Sequence, residues 1–403
     1  MWRQVSVLLR LVLSTHLLVG AVAGLESDTI QRPIDAPSTA ISVRLFADLE
    51  RLSRIVDISY CIGNTGVRKP FQCVSRCNEF PELSLVTTWS TGLLMSDSCG
   101  YIAVDRGGWR QPGVTDDGSV QPSDEDGAII VAFRGTYSVT NTIVDLSTVP
   151  QKYVPYPFPD KGGKEPPERP KHKCANCTVH MGFLESWRSA RDVVLPELKA
   201  LKARHPSYPV RLVGHSLGGA VACLAALELR VSLGWEDVVV TTFGEPRVGN
   251  YQLARFIDEI FDLDRDADLE SRSYRRVTHS NDPVPLLPLD DWGYRPHAGE
   301  IYISKPDLSP SEGDVRTCVG DSDPACSSNT ESYLRQTMHR LLHFIRAGTT
   351  VQSHMEAMTF PTRFKLWELF IAHRDYFWRL GLCVPGGDPS NRGRHQFAEF
   401  EEL

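Results

Sequence analysis

Apolar residues recur along this chain with two distinct periods. Leu45, Leu49, Leu52, Ile55 and Val56 stand three and four apart, which predicts a packing helix over residues 44–58. Five short apolar runs follow, at residues 101–104, 128–133, 210–213, 238–243 and 274–278, and their length and β-branched content predict strands. Helical spacing returns between them at 183–203 and 220–233. Alternation of strand and helix predicts an α/β fold with a mostly parallel central sheet and helices on both faces. Leu334, Met338, Leu341, Leu342 and Ile345 line one face of a further helix expected over 331–345.

The ends read differently. Residues 1–23 carry an Arg3-containing head, an apolar run and then Ala21-Val22-Ala23, the small-residue pattern of a cleaved signal peptide, so a secreted protein is expected. Residues 384–403 are rich in Gly, Pro and charge and are expected to be a disordered tail. No later stretch reaches the roughly 18 uninterrupted apolar residues of a membrane span. Residues 24–383 are therefore expected to form one domain.

Composition narrows the class of partner. With 41% hydrophobic and 23% charged residues the chain is globular in type. The formal net charge is -7, and loss of Arg3 and Arg10 with the leader makes it -9, which excludes general attraction to nucleic acid. Ten cysteines fit an oxidising compartment. Cys174-x-x-Cys177 reads as a structural disulfide, because a redox pair opens a helix after a strand. Asn176-Cys177-Thr178 is a candidate glycosylation site with a half-cystine at its centre.

Gly214-His215-Ser216-Leu217-Gly218 matches G-x-S-x-G, a pattern that chance alone supplies in about one of eight chains this long. Its context makes it informative. A predicted strand ends just before it and a strongly helical run begins just after it, the arrangement of a nucleophile elbow. Ser216 is thus the candidate nucleophile, and its hydroxyl needs a base and an acid that orients the base. In this arrangement the acid precedes the histidine in the chain. Asp282 directly follows a predicted strand, where α/β sites are built; Asp290 and Asp291, deeper in a proline-rich loop, remain competitors. His297, His339, His343, His354, His373 and His395 all follow the acid, and spacing does not choose among them. The Leu217 N–H, and a second donor near Thr136 after the strand at 128–133, are candidates for holding an oxyanion.

Several blocks together resemble the class 3 lipases, the secreted triacylglycerol lipases of filamentous fungi, whose fold is that of the α/β-hydrolases. They are Val131-Ala132-Phe133-Arg134-Gly135-Thr136, Gly182-Phe183 with Trp187, Gly214 to Gly219, Gly244-Glu245-Pro246-Arg247-Val248-Gly249-Asn250, His279 to Pro285, and Ala372-His373-Arg374-Asp375-Tyr376-Phe377. The resemblance covers roughly residues 45–383. It implies Asp282 as the acid, His373 as the base, and Thr136 with Leu217 as the oxyanion hole. It also implies disulfides Cys61–Cys383, Cys73–Cys77, Cys174–Cys177 and Cys318–Cys326, leaving Cys99 and Cys223 over. The family block usually has Ala where Glu245 stands. In the expected lid over about 137–150 the family often has Trp at the position of Thr142. The loop 150–173 is longer than usual, and 331–370 is an insertion before His373.

These readings imply a secreted serine ester hydrolase that cleaves acylglycerols at an oil–water interface through an acyl-enzyme, with no cofactor, no metal and no stable protein partner. A feruloyl or short-chain carboxylesterase is the alternative on the same fold. An inactive binding homologue is the alternative of another class.

Overall fold

The computed structural model describes residues 40–92, 97–107, 127–136, 150–152, 172–263, 271–330 and 371–385. The expected signal peptide, the lid over 137–149, the greater part of the loop 150–173, the insertion 331–370 and the tail from 386 lie outside the described residues.

Helix α1 (Val43–Ile58) begins where the Ser42 hydroxyl accepts the Leu45 N–H at 3.2 Å, which satisfies one of the four free donors of its first turn. Leu45, Leu49, Leu52, Ile55 and Val56, the residues that predicted it, are all buried. Strands β1 (Leu83–Ser90) and β2 (Cys99–Asp105) form an antiparallel pair, and β2 pairs antiparallel with β3 (Ala128–Phe133). Next come β4 (Pro150–Lys152), β5 (Thr178–His180), α2 (Met181–Arg204), β6 (Val210–His215) and α3 (Leu217–Leu227). They are followed by β7 (Val238–Phe243), β8 (Gly249–Asn250), α4 (Tyr251–Phe261) and β9 (Tyr274–His279). β10 (Tyr294–Arg295), β11 (Glu300–Ile303) and β12 (Val315–Thr317) complete the strands among the described residues.

The main sheet has the order β1-β2-β3-β6-β7-β9-β11-β12, and β3, β6, β7, β9 and β11 run parallel. A smaller sheet, β10-β8-β5-β4, lies apart from it. Period-two alternation divides the main sheet between two cores. Ile129, Val131 and Phe133 join one cluster with α2, α3 and α4, while Ala128, Ile130 and Ala132 join the other with α1. Both faces are covered, so each fully buried Val or Phe removes apolar area worth roughly 1.5–3 kcal/mol. Cutting Leu49, which is fully buried, to Ala would cost about 2–5 kcal/mol.

Helix α3 starts at Leu217 and includes Gly218 and Gly219, three residues earlier than the apolar run from Ala220 suggests, and then widens into a π-turn at Glu228–Ser232. No helix among the described residues is long and apolar enough to cross a membrane.

Candidate active site

Ser216 lies between β6 and α3 with φ 58° and ψ −130°, a left-handed conformation rare for a residue with a Cβ. The turn is tight because α3 packs against β3. A Cβ on Gly218 would stand 2.3 Å from the Phe133 carbonyl oxygen, so no other residue fits there. The Ser216 N–H donates to the Phe243 carbonyl at 2.9 Å, which ties the turn to the end of β7. Leu217, first residue of α3, has no intrahelical carbonyl for its N–H. That donor points out of the helix N-terminus, where the dipole favours negative charge.

Gly135 follows β3 and rests on the same turn. A Cβ there would meet the Ser216 Cβ at 2.8 Å and the His215 carbonyl oxygen at 2.7 Å. The Arg134 guanidinium fixes this loop through the Ile62 carbonyl, at 2.6 Å. Thr136, half-buried, comes next. The strand end thus carries its loop to the serine side of the sheet.

Asp282 follows β9, and its carboxylate is fully enclosed. His373 Nδ1 stands 3.0 Å from both of its oxygens. The Val284 N–H donates to Oδ1 at 2.9 Å and the Tyr376 hydroxyl to Oδ2 at 2.5 Å. Burial alone would raise this carboxyl, but the His373 ring, the Tyr376 hydroxyl and the Val284 N–H together outweigh it and hold Asp282 below the usual carboxylate range. Asp282 therefore stays ionised and fixes the proton of His373 on Nδ1. His373 Nε2 is buried and makes no hydrogen bond. It is left as a free acceptor at the strand ends that carry Ser216.

Three further residues, given no role in the sequence analysis, hold this geometry. Gly244 has φ 61°, and a Cβ there would fall 2.8 Å from His373 Cε1 and 3.0 Å from Asp282 Oδ2. His215 stacks on His373 with ring centroids 4.8 Å apart and contacts its backbone carbonyl through Nε2 at 2.9 Å. Tyr60, in the turn after α1, contacts the other ring nitrogen at 2.5 Å. Tyr376 lay inside a block already quoted; Tyr60 carried no sequence signal.

The competing residues fall elsewhere. Asp290 pairs with Arg247 and Arg295, and Asp291 is exposed. His297 is buried against Glu245. His339, His343, His354 and His395 lie outside the described residues. The structure holds disulfides Cys61–Cys383, Cys73–Cys77, Cys174–Cys177 and Cys318–Cys326, with Cys99 and Cys223 free and buried. The first of these ties the turn after α1 to the segment that carries His373. Asn176 is exposed, with φ 57°, and its carbonyl accepts from the Asn250 amide.

An ionised carboxylate, an imidazole with one free nitrogen and a strained serine at a helix N-terminus suit nucleophilic acyl transfer. Comparison with known proteins agrees. The class 3 lipase profile matches residues 130–292. A Gibberella zeae protein named secreted mono- and diacylglycerol lipase 2 is 61% identical over 389 residues, covering 96% of this chain and 94% of that one. Lipase A of Sodiomyces alcalophilus is 58% identical over 396 residues, covering 96% and 94%. Among solved structures, the Lip2 lipase of Yarrowia lipolytica matches with a TM-score of 0.64 at 26% identity, over 87% of this chain and 98% of that one. With identity of this level along nearly its whole length, the chain belongs to the class 3 lipase family.

Proposed function

We propose that this chain is a secreted lipase that hydrolyses acylglycerol esters through a Ser216–His373–Asp282 triad. The observation that carries the reading is the enclosed contact of His373 Nδ1 with both Asp282 oxygens, which leaves Nε2 free to accept a proton. Ser216 Oγ attacks the ester carbonyl as His373 Nε2 removes its proton, and the carbonyl oxygen becomes an oxyanion. The Leu217 N–H and the N–H and hydroxyl of Thr136 hold that charge. Collapse expels the glyceride alkoxide, which takes the proton from His373 and leaves an acyl-serine. Water, deprotonated by the same imidazole, repeats the sequence and releases the fatty acid.

Secretion is supported by the named relatives and by the leader-type residues 1–23. Mono- and diacylglycerols are the substrates to test first, because the 61%-identical relative is named for them. An oil–water interface is the proposed working surface. The decisive experiment follows rate against concentration for esters of increasing acyl length, across each solubility limit, beside mono-, di- and triacylglycerols. A rise in rate at the limit with long acyl chains is expected. Smooth saturation and a preference for short chains would favour a carboxylesterase, and absence of turnover on every ester would favour a binding protein.

A further inference from the structure

About two turns along α3 from Ser216, three side chains with different donor atoms meet in the core. Cys223 comes from α3, Glu245 from the turn after β7, and His297 from the link between β10 and β11. They are 0%, 2% and 3% exposed. The sulfur, a carboxylate oxygen and a ring nitrogen all lie within 4.8 Å of one another.

The hydrogen bonds at this cluster leave one close contact to be bridged. His297 Nδ1 is 2.8 Å from the Ala298 carbonyl oxygen, which can only accept, so Nδ1 carries the ring proton. Nε2 stands 3.2 Å from Glu245 Oε1. A ring nitrogen and a carboxylate oxygen that close need a proton or a metal cation between them. Glu245 Oε2 already receives the Thr242 hydroxyl at 2.6 Å and the Tyr274 hydroxyl at 2.9 Å, so the carboxylate is organised as an anion. A proton between Glu245 and His297 would also relieve the contact; the two cases differ in whether Cys223 gives up its own proton.

We propose that Cys223, Glu245 and His297 form a buried structural site for one divalent cation of the zinc type. Nitrogen, sulfur and carboxylate oxygen are the donors zinc takes, and a histidine ligand commonly donates its other N–H to a backbone carbonyl, as His297 does to Ala298. One dication with one thiolate and one carboxylate has no net charge, which is the condition for burial without water. The three side chains supply three donors, and the Tyr274 hydroxyl, hydrogen-bonded to Glu245 and Cys223, holds those two in place. Loading expels the thiol proton of Cys223 and any proton shared by Glu245 and His297, and no group is oxidised or reduced. The other mixed cluster, Glu300 with Cys318 and Cys326, offers no such site because its sulfurs are joined in a disulfide. An ion at the first cluster would clamp α3, which follows the nucleophile turn, to the loops after β7 and β10.

The test is metal content. The secreted protein, produced in zinc-supplemented medium and freed of loose metal, should retain about one zinc per chain, and Cys223→Ser and Glu245→Gln should each retain under about a tenth. Cobalt in place of zinc should give a thiolate-to-cobalt charge-transfer band in the wild type that Cys223→Ser lacks. A chelator during thermal unfolding should lower the wild-type Tm and leave that of Cys223→Ser unchanged. Folded, ester-cleaving wild type that carries no zinc would overturn the proposal in favour of a proton-bridged pair. Zinc retained equally by both variants would also overturn it, by placing the metal elsewhere.

Discussion

The ring of His215 stacks on that of His373, and its Nε2–H donates to the His373 backbone carbonyl at 2.9 Å. A carbonyl only accepts, so the proton is on Nε2, and Nδ1 accepts the Tyr60 hydroxyl at 2.5 Å. Burial, reinforced by the neighbouring imidazole of His373, lowers the His215 pKa to about 3 and keeps the ring neutral. His215, the residue before Ser216, thus positions the His373 backbone. His215→Phe removes both bonds. We expect kcat on a soluble ester to fall by about tenfold with KM little changed, and stability to fall by about 1–3 kcal/mol from the loss of two buried hydrogen bonds. A kcat within twofold of wild type would remove His215 from any positioning role.

Ser216→Ala and His373→Ala should each reduce ester hydrolysis by about 10⁵–10⁶-fold, because each removes a member of a unit that acts together. The Ser216 hydroxyl supplies little core volume, so the Tm of Ser216→Ala should hold to within a few degrees, whereas His373→Ala removes a buried ring and the partner of the enclosed Asp282 carboxylate and should lower the Tm. Steady-state rates beside circular dichroism melts check both statements, and activity within tenfold of wild type would end the assignment.

Tyr376→Phe removes the hydroxyl that reaches Asp282 Oδ2. With one donor fewer, the carboxyl should rise toward its ordinary range and orient His373 less firmly. The expected result is a kcat loss of about tenfold, against about 10⁴-fold for Asp282→Asn. The acid limb of the pH–rate profile should move upward in Tyr376→Phe, which a loss of packing alone would not produce.

Gly244→Ala places a methyl group 2.5 Å from the Tyr376 hydroxyl and 2.8 Å from His373 Cε1, at a backbone φ of 61°. Strain and collision should cost about 1–3 kcal/mol of stability and displace the imidazole, with activity down by about 10²-fold or more. Full activity in this variant would show that the His373 ring is not held where the structure has it.

Asp57, at the end of α1, accepts the Gly381 N–H at 2.8 Å and lies 3.5 Å from the Arg76 guanidinium. Burial raises its carboxyl to about 6, against the pull of Gly381 and Arg76. The folded state therefore binds the proton more tightly than the unfolded chain does. Its contribution is fully present below about pH 4 and is lost as pH rises through about 6, by up to about 3 kcal/mol. Asp57→Asn keeps an acceptor for Gly381 and lacks this loss. The Tm of Asp57→Asn relative to wild type should rise between pH 4 and pH 7, and a constant difference would contradict the raised value.

The strands at 128–133, 210–213 and 238–243 were legible because a parallel sheet covered on both faces demands apolar residues at every position, and that demand is local. The nucleophile turn was legible for a similar reason. Gly214, Ser216 and Gly218 are contiguous, and α3 starting beside β3 leaves no room for a Cβ at Gly218. Strands β1, β11 and β12 escaped notice for two reasons: β1, at the edge of the sheet, alternates buried and half-exposed positions, and β11 and β12 are too short to show a period.

The base could not be chosen from the residues. Six histidines follow Asp282, and His373 lies 91 positions from it, so no local spacing distinguishes them. Resemblance implied His373, and among the described residues Tyr376, Val284 and Gly244 surround the place beside Asp282 where its ring lies. Glu245 shows the same limit. In the sequence it was an unexplained carboxylate where the family usually has Ala; in the core it meets Thr242, Tyr274 and His297, drawn from three separate stretches of chain. Residue identity determined the local chemistry available, whereas partners distant in sequence were decided by packing, because a buried polar group is tolerated only where the folded chain brings it a partner.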